Sequence, residues 1–170
     1  MHTPAGLVHP LARAGDPGLV LSTLAFPKTW YPPPMPVPSL PPGHRVSVSE
    51  FAENPLEAIE KFLTLEPMPA PDTTLLRPHE VVIAVRSAAV SWVDLLMTSG
   101  QYQHMPKPPY TPGLEYSGEV VWAGPAVDRV RVGDRVFADC FQVGPRSYGD
   151  YQAAGGFASY AVLPQEAVLP

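Results

Sequence analysis

Apolar residues in this chain fall in short bursts, and most of the bursts follow the two-residue rhythm of strands rather than the 3.6-residue rhythm of helices. Glu80–Arg86 runs through valine, valine, isoleucine, alanine and valine without a break, which predicts a strand buried on at least one face. Glu119–Ala123, Arg135–Ala138 and Phe157–Leu163 read the same way, and Arg45–Ser49 and Leu63–Glu66 predict two shorter strands. Gly124-Pro125 and Gly133-Asp134 punctuate them as turns; the second pair readily takes the positive φ of a hairpin. Helix signals are few. Asn54-Pro55 caps and opens a short one, with Leu56, Ile59 and Phe62/Leu63 on one face. A second runs from Ser91 to Gly100, with Ser91-x-x-Asp94 as a capping-box start and Gly100 as its stop. Several short strands with turn signals and little helix predict a small barrel or sandwich.

Before Gly43 the texture differs. Many of the 24 prolines lie there, and Tyr31-Pro32-Pro33-Pro34-Met35-Pro36-Val37-Pro38 cannot hold a helix or a central strand, because proline lacks the donor N–H. Residues 1–42 are expected to form an extended, polyproline II-like arm, a spacer or a PxxP ligand, and residues 43–170 the folded domain.

Composition narrows the class. A hydrophobic content of 45% with 16% charged residues suits one folded domain. A net charge of −5 gives nucleic acid or an anionic membrane no general attraction. The apolar runs Leu19–Phe26 and Ala88–Met97 are too short to span a bilayer, and Asp94 interrupts the second. The opening residues carry no secretory signal pattern, and a single cysteine, Cys140, excludes an internal disulfide framework. A cytoplasmic protein fits these features. Cys140 has no clear base beside it and reads as buried filler. The five histidines are scattered, with no Cys-x-x-Cys and no His-Glu-x-x-His, so no protein-built zinc site is expected.

Pro112-Gly113-Leu114-Glu115-Tyr116-Ser117-Gly118-Glu119-Val120 resembles the P-G-x-E-x-x-G-x-V signature of the medium-chain dehydrogenase/reductase family. Arg77–Ile83 resembles the first strand of its catalytic domain, and Ala88–Tyr102 the segment lining the active site. Val132–Val136 is similar to its V-G-D-R-V turn, and Gly155–Tyr160 to its G-G-[FY]-A-x-Y strand. These pieces stand in the family's order over roughly residues 45 to 170. The resemblance implies a mainly β, GroES-like partly open barrel with one or two short helices. It also implies that a Rossmann domain would follow, and that these residues are part of a longer enzyme.

The resemblance also bears on chemistry. Zinc members of the family place a metal-binding His where this chain has Leu114, and a Cys where it has Ser91; leucine offers a cation no lone pair. The implied branch is therefore the zinc-free, quinone oxidoreductase-like one, which reduces a quinone or an activated alkene with NADPH or NADH. Members of that branch show N-x-x-D where Ser91-Trp92-Val93-Asp94 stands, so Asp94 keeps the pattern, Ser91 departs from it, and Leu96 replaces a frequent tyrosine. By resemblance, Ser91 and Asp94 contact the cofactor, Trp92 and Tyr102 line the substrate cleft, and Tyr102 donates a hydrogen bond to a substrate oxygen. Helix capping alone would explain Ser91 and Asp94 equally well, and packing on the barrel mouth would explain Tyr102. Glu115 reads as structural, paired with an arginine, or as a proton relay. Gly155-Gly156 lacks the G-x-G-x-x-G spacing, so the cofactor would be held mainly by another domain. The expected partner is a small-molecule substrate; a homo-oligomer stays open. A non-catalytic binding or structural protein on the same barrel is the rival reading.

Overall fold

The computed structural model describes residues 39–170; the Leu19–Phe26 run and the proline run Tyr31–Pro38 lie outside them. Strands β1 (Gly43–Val48) and β2 (Leu63–Met68) pair antiparallel, with helix α1 (Pro55–Phe62) between them in the chain. A five-stranded antiparallel sheet follows, in the order β6-β3-β4-β5-β7, from β3 (Glu80–Ala88), β4 (Tyr116–Ala123), β5 (Arg135–Ala138), β6 (Tyr160–Pro164) and β7 (Val168–Leu169). Helix α2 (Trp92–Thr98) lies between β3 and β4, and a 3₁₀ turn (Gln165–Ala167) joins β6 to β7. The fold is mainly β, as expected.

β3 explains its own unbroken apolar sequence, because it is buried on both faces. Val81 and Ile83 enter the main core with Tyr116, Val120, Val136, Leu163 and Val168. Val82 and Ala84 point the other way, onto Tyr160 with Leu40, Met68 and Leu76. Each fully buried Val, Leu or Ile contributes about 1.5–3 kcal/mol of transfer free energy.

The β1–β2 pair is stitched to the rest through β1. Val46 N–H donates to Phe157 O at 2.8 Å and Ser159 N–H to His44 O at 2.8 Å. Val48 and Tyr110 exchange two backbone bonds of 2.8 and 3.1 Å. The expected strand over Phe157–Leu163 is therefore divided: its first residues pair with β1, and regular pairing with β3 begins at Tyr160.

Gly118 sits where β3 and β4 slip register. A Cβ there would meet Ala84 O at 2.2 Å, so the position demands the close backbone approach that only glycine permits. Gly133, at φ +95° with open space around it, makes the turn into β5, and its N–H donates to Val120 O at 2.8 Å.

At α1, Asn54 caps the helix through a 3.0 Å bond from Glu57 N–H, as predicted; Leu56 is 72% exposed and Ile59 39% exposed, and Ala58 is the buried residue. The helix rests on its small side chain, leaving the apolar face toward water. No helix among the described residues is long and apolar enough to cross a membrane.

Candidate functional site

The α2 segment carries the expected site, and its ends are fixed by two local devices. Ser91 is the extended N-cap residue. Its hydroxyl accepts from Asp94 N–H at 3.4 Å and donates to Asp94 Oδ2 at 2.8 Å, while Ser91 N–H donates to the same oxygen at 2.8 Å. This is the reciprocal capping box that the Ser-x-x-Asp spacing predicts. At the far end, Gly100 takes φ +73°, with Gly100 N–H bonded to Met97 O and Gln101 N–H to Leu96 O, a Schellman stop.

Asp94 is only 3% exposed, and its second oxygen reaches out of the helix. Oδ1 accepts from Gly113 N–H at 3.2 Å, binding α2 to the Pro112–Val120 stretch. Gly113 holds φ +104°, and a Cβ there would strike Phe157 at 2.7 Å. Leu114, next in sequence, is apolar and 5% exposed. Among the described residues no three His, Cys, Asp or Glu side chains gather as metal ligands.

The two stretches most like the family signature lock onto each other. Gly155 N–H donates to Thr111 O, Gly156 N–H to Gly113 O and Phe157 N–H to Pro112 O, each at 2.9 Å. A Cβ at Gly156 would lie 2.3 Å from the Tyr116 ring. The tandem glycines thus serve backbone-to-backbone packing. With their N–H groups bonded to carbonyls, these two glycines offer a dinucleotide's phosphates no cradle.

The expected site residues divide between the two ends of α2. Ser91 and Asp94 meet in the cap, and Trp92 beside them is 69% exposed. Tyr102 lies past Gly100, half-buried, and its ring meets His104 edge-on at 6.3 Å. Among the described residues no hydrogen bond joins Tyr102 to Ser91 or Asp94. Glu115 is exposed and pairs with no arginine among them; its backbone carbonyl accepts from Ala89 N–H at 2.9 Å. Cys140 is half-buried, and burial pushes its thiol pKa up, with Arg146 opposing more weakly. That environment suits an unreactive thiol.

Sequence reasoning missed several buried or half-buried polar groups. Tyr110 is 3% exposed, and neither its hydroxyl nor that of Tyr116 has a hydrogen-bond partner among the described residues. Burial raises both phenol pKa values, and at Tyr110 the Asp94 charge adds to the effect. Tyr151 Oη donates to Glu80 Oε1 at 2.5 Å, and the Tyr151 pKa is pushed up to about 12, chiefly by burial and then by that bond. Gln165 Oε1 accepts from Asp128 and Arg129 N–H groups, tying the β4–β5 loop to the 3₁₀ turn. These partners lie far apart in sequence, so no local pattern signals them.

The alcohol dehydrogenase GroES-like domain family matches residues 77–170. A quinone oxidoreductase-like protein 2 homolog from Nematostella vectensis is 38% identical over 96 residues, covering 56% of this chain and 23% of the relative. A quinone oxidoreductase from Lama guanicoe is 34% identical over 90 residues, covering 53% of this chain and 24% of the relative. The crystal structure of a probable oxidoreductase from Mycobacterium abscessus superposes with a TM-score of 0.56 at 27% identity, covering 76% of this chain and 34% of that one. The chain thus spans about a quarter of the length of these two curated relatives. With the Asp94–Gly113 and Gly155–Phe157 contacts uniting the signature stretches in one barrel, this chain belongs to the medium-chain dehydrogenase/reductase family, in its quinone oxidoreductase-like branch.

Proposed function

We propose that the natural protein carrying this chain is an NAD(P)H-dependent, zinc-free oxidoreductase that reduces a quinone or an activated alkene by hydride transfer. Residues 43–170 form its substrate-side domain. The observation that carries this reading is Leu114: a buried apolar side chain stands where zinc members hold a ligand, directly after the glycine that locks onto Asp94. When bound, a nicotinamide would supply the hydride. The barrel's own part is to shape the cleft: the Ser91 cap sets one wall, and the Tyr102 phenol offers a hydrogen bond to a substrate oxygen at the other end of α2. The single cysteine suits a reducing, cytoplasmic setting.

The test is the split between kcat and KM for Tyr102→Phe in the natural gene product, with NADPH and p-benzoquinone. A phenol that positions substrate predicts a higher KM or a lower kcat/KM by about tenfold, the range of one hydrogen bond. Unchanged constants would remove Tyr102 from the site.

One observation favours a second reading, a non-catalytic barrel. Both Asp94 oxygens, and the Ser91 hydroxyl, are engaged in bonds that hold the fold. Under that reading the gene product oxidises no NADPH with any acceptor.

A further inference from the structure

One group of side chains serves neither the core nor the α2 cap. Residues 101–106, after α2, and residues 139–151, after β5, meet across a half-open depression of about 140 Å³ lined by His104, Phe141, Arg146 and Tyr148. Tyr148 Oη lies 2.7 Å from His104 Nδ1, with the two rings nearly perpendicular at 85°. The Arg146 guanidinium carbon stands 4.3 Å from the centre of the Phe141 ring. Phe141 is 67% exposed and Tyr148 74% exposed. Two large rings left in water beside a charge, one of them joined to the other loop through His104, form a clustered patch rather than scattered surface aromatics.

Charge decides what the depression can take. Aromatic rings alone would suit an ammonium ion, but the Phe141 face already carries a guanidinium, which repels a second cation. Among the described residues no carboxylate forms an ion pair with Arg146. Its in-plane N–H groups are therefore free for the two oxygens of a carboxylate. In the tautomer whose Nδ1 accepts from the Tyr148 phenol, the His104 ring carries a proton on Nε2 and adds a second donor. Size fits one ring, since a cavity of ~150 Å³ accommodates benzene.

We infer that this depression binds a single planar aromatic or quinonoid ring bearing a carboxylate, with the carboxylate on Arg146 and the ring against Phe141 and Tyr148. Tyr102, edge-on to His104, links it to the substrate cleft proposed above. Its role as acceptor site rests on that reading; the binding itself does not.

The experiment is a ligand-observed NMR titration of the purified 170-residue chain with benzoate and with its neutral counterpart benzamide, in the absence of nicotinamide. Benzoate is expected to bind about tenfold or more tightly than benzamide, the scale of one charge-assisted bidentate contact. Arg146→Met should erase that preference by weakening benzoate far more than benzamide, and Arg146→Lys should restore part of it. Equal binding of the two probes by the wild-type chain, or a benzoate preference that survives Arg146→Met, would overturn the assignment. Benzoate binding in a protein that oxidises no NADPH would uphold the site and contradict the oxidoreductase reading alone.

Discussion

The backbone N–H of Gly113 donates to Asp94 Oδ1 at 3.2 Å, while Asp94 Oδ2 holds both the N–H and the hydroxyl of Ser91. One buried carboxylate therefore joins the start of α2 to the loop before β4. Asp94→Ala would leave the Gly113 and Ser91 N–H groups without their acceptor, at a cost of about 2–4 kcal/mol in urea denaturation. Ser91→Ala should cost about 1 kcal/mol, and Ser91→Asn should come close to wild type, because Asn also caps. Ser91→Asp caps well in isolation, but here it would set a second carboxylate against Asp94 and destabilise more than Ser91→Ala does. An Asp94→Ala loss below about 0.5 kcal/mol would show that the link is not structural.

Tyr151 gives a pH dependence. Its folded pKa, about 12, stands above the ordinary phenol value of about 10. An acid whose pKa is raised on folding is favoured in its neutral form, so this contribution is complete below pH 10 and is lost as pH rises toward 12. The raised pKa values of buried Tyr110 and Tyr116 act in the same direction. Stability measured by denaturant titration should fall from pH 10 to 12, and Tyr151→Phe should make that fall shallower. An identical slope in the variant would separate Tyr151 from the effect.

Two glycines should respond differently to alanine. At Gly156 the new Cβ would sit 2.3 Å from the Tyr116 ring, a side chain 1% exposed and unable to move aside. That overpacking should cost at least about 3 kcal/mol. At Gly133 nothing lies nearby, and only the backbone at φ +95° objects, for about 1–2 kcal/mol. Equal costs at the two positions would contradict the packing described for the signature loop.

Much of this fold is legible in the sequence, because its strands are short valine-rich bursts and its turns use glycine. The α2 segment is legible at both ends, since Ser91-x-x-Asp94 and Gly100 act within a few residues of themselves. Legibility stops where partners are distant. The Asp94–Gly113 bond spans 19 residues and the Tyr148–His104 contact 44, and no periodicity encodes either. At α1 the local pattern shows a face but not its partner: the stripe of Leu56 and Ile59 is real, yet the buried residue of the helix is Ala58.

The first described residues are packed on the barrel. Leu40 packs on Tyr160, and Tyr160 Oη donates to Pro41 O at 2.9 Å. Removing residues 1–38 should leave the thermal midpoint unchanged, because proline-rich sequence adds few ladder bonds. Removing residues 1–42 should lower it by several degrees, for the loss of that bond and the Leu40 contact. A fall in midpoint on the shorter deletion would place part of the arm in the domain's packing.

The central claim, a zinc-free member of an NAD(P)H-dependent family, is tested most directly by NADPH oxidation at 340 nm in the natural gene product. p-Benzoquinone serves as acceptor, before and after chelator treatment, with elemental analysis of the same sample. The account predicts saturable, acceptor-dependent oxidation that the chelator leaves unchanged, and less than stoichiometric zinc, because Leu114 and Ser91 stand at two ligand positions. One zinc per chain with activity lost to the chelator, or no NADPH oxidation with any quinone or activated alkene, would contradict it.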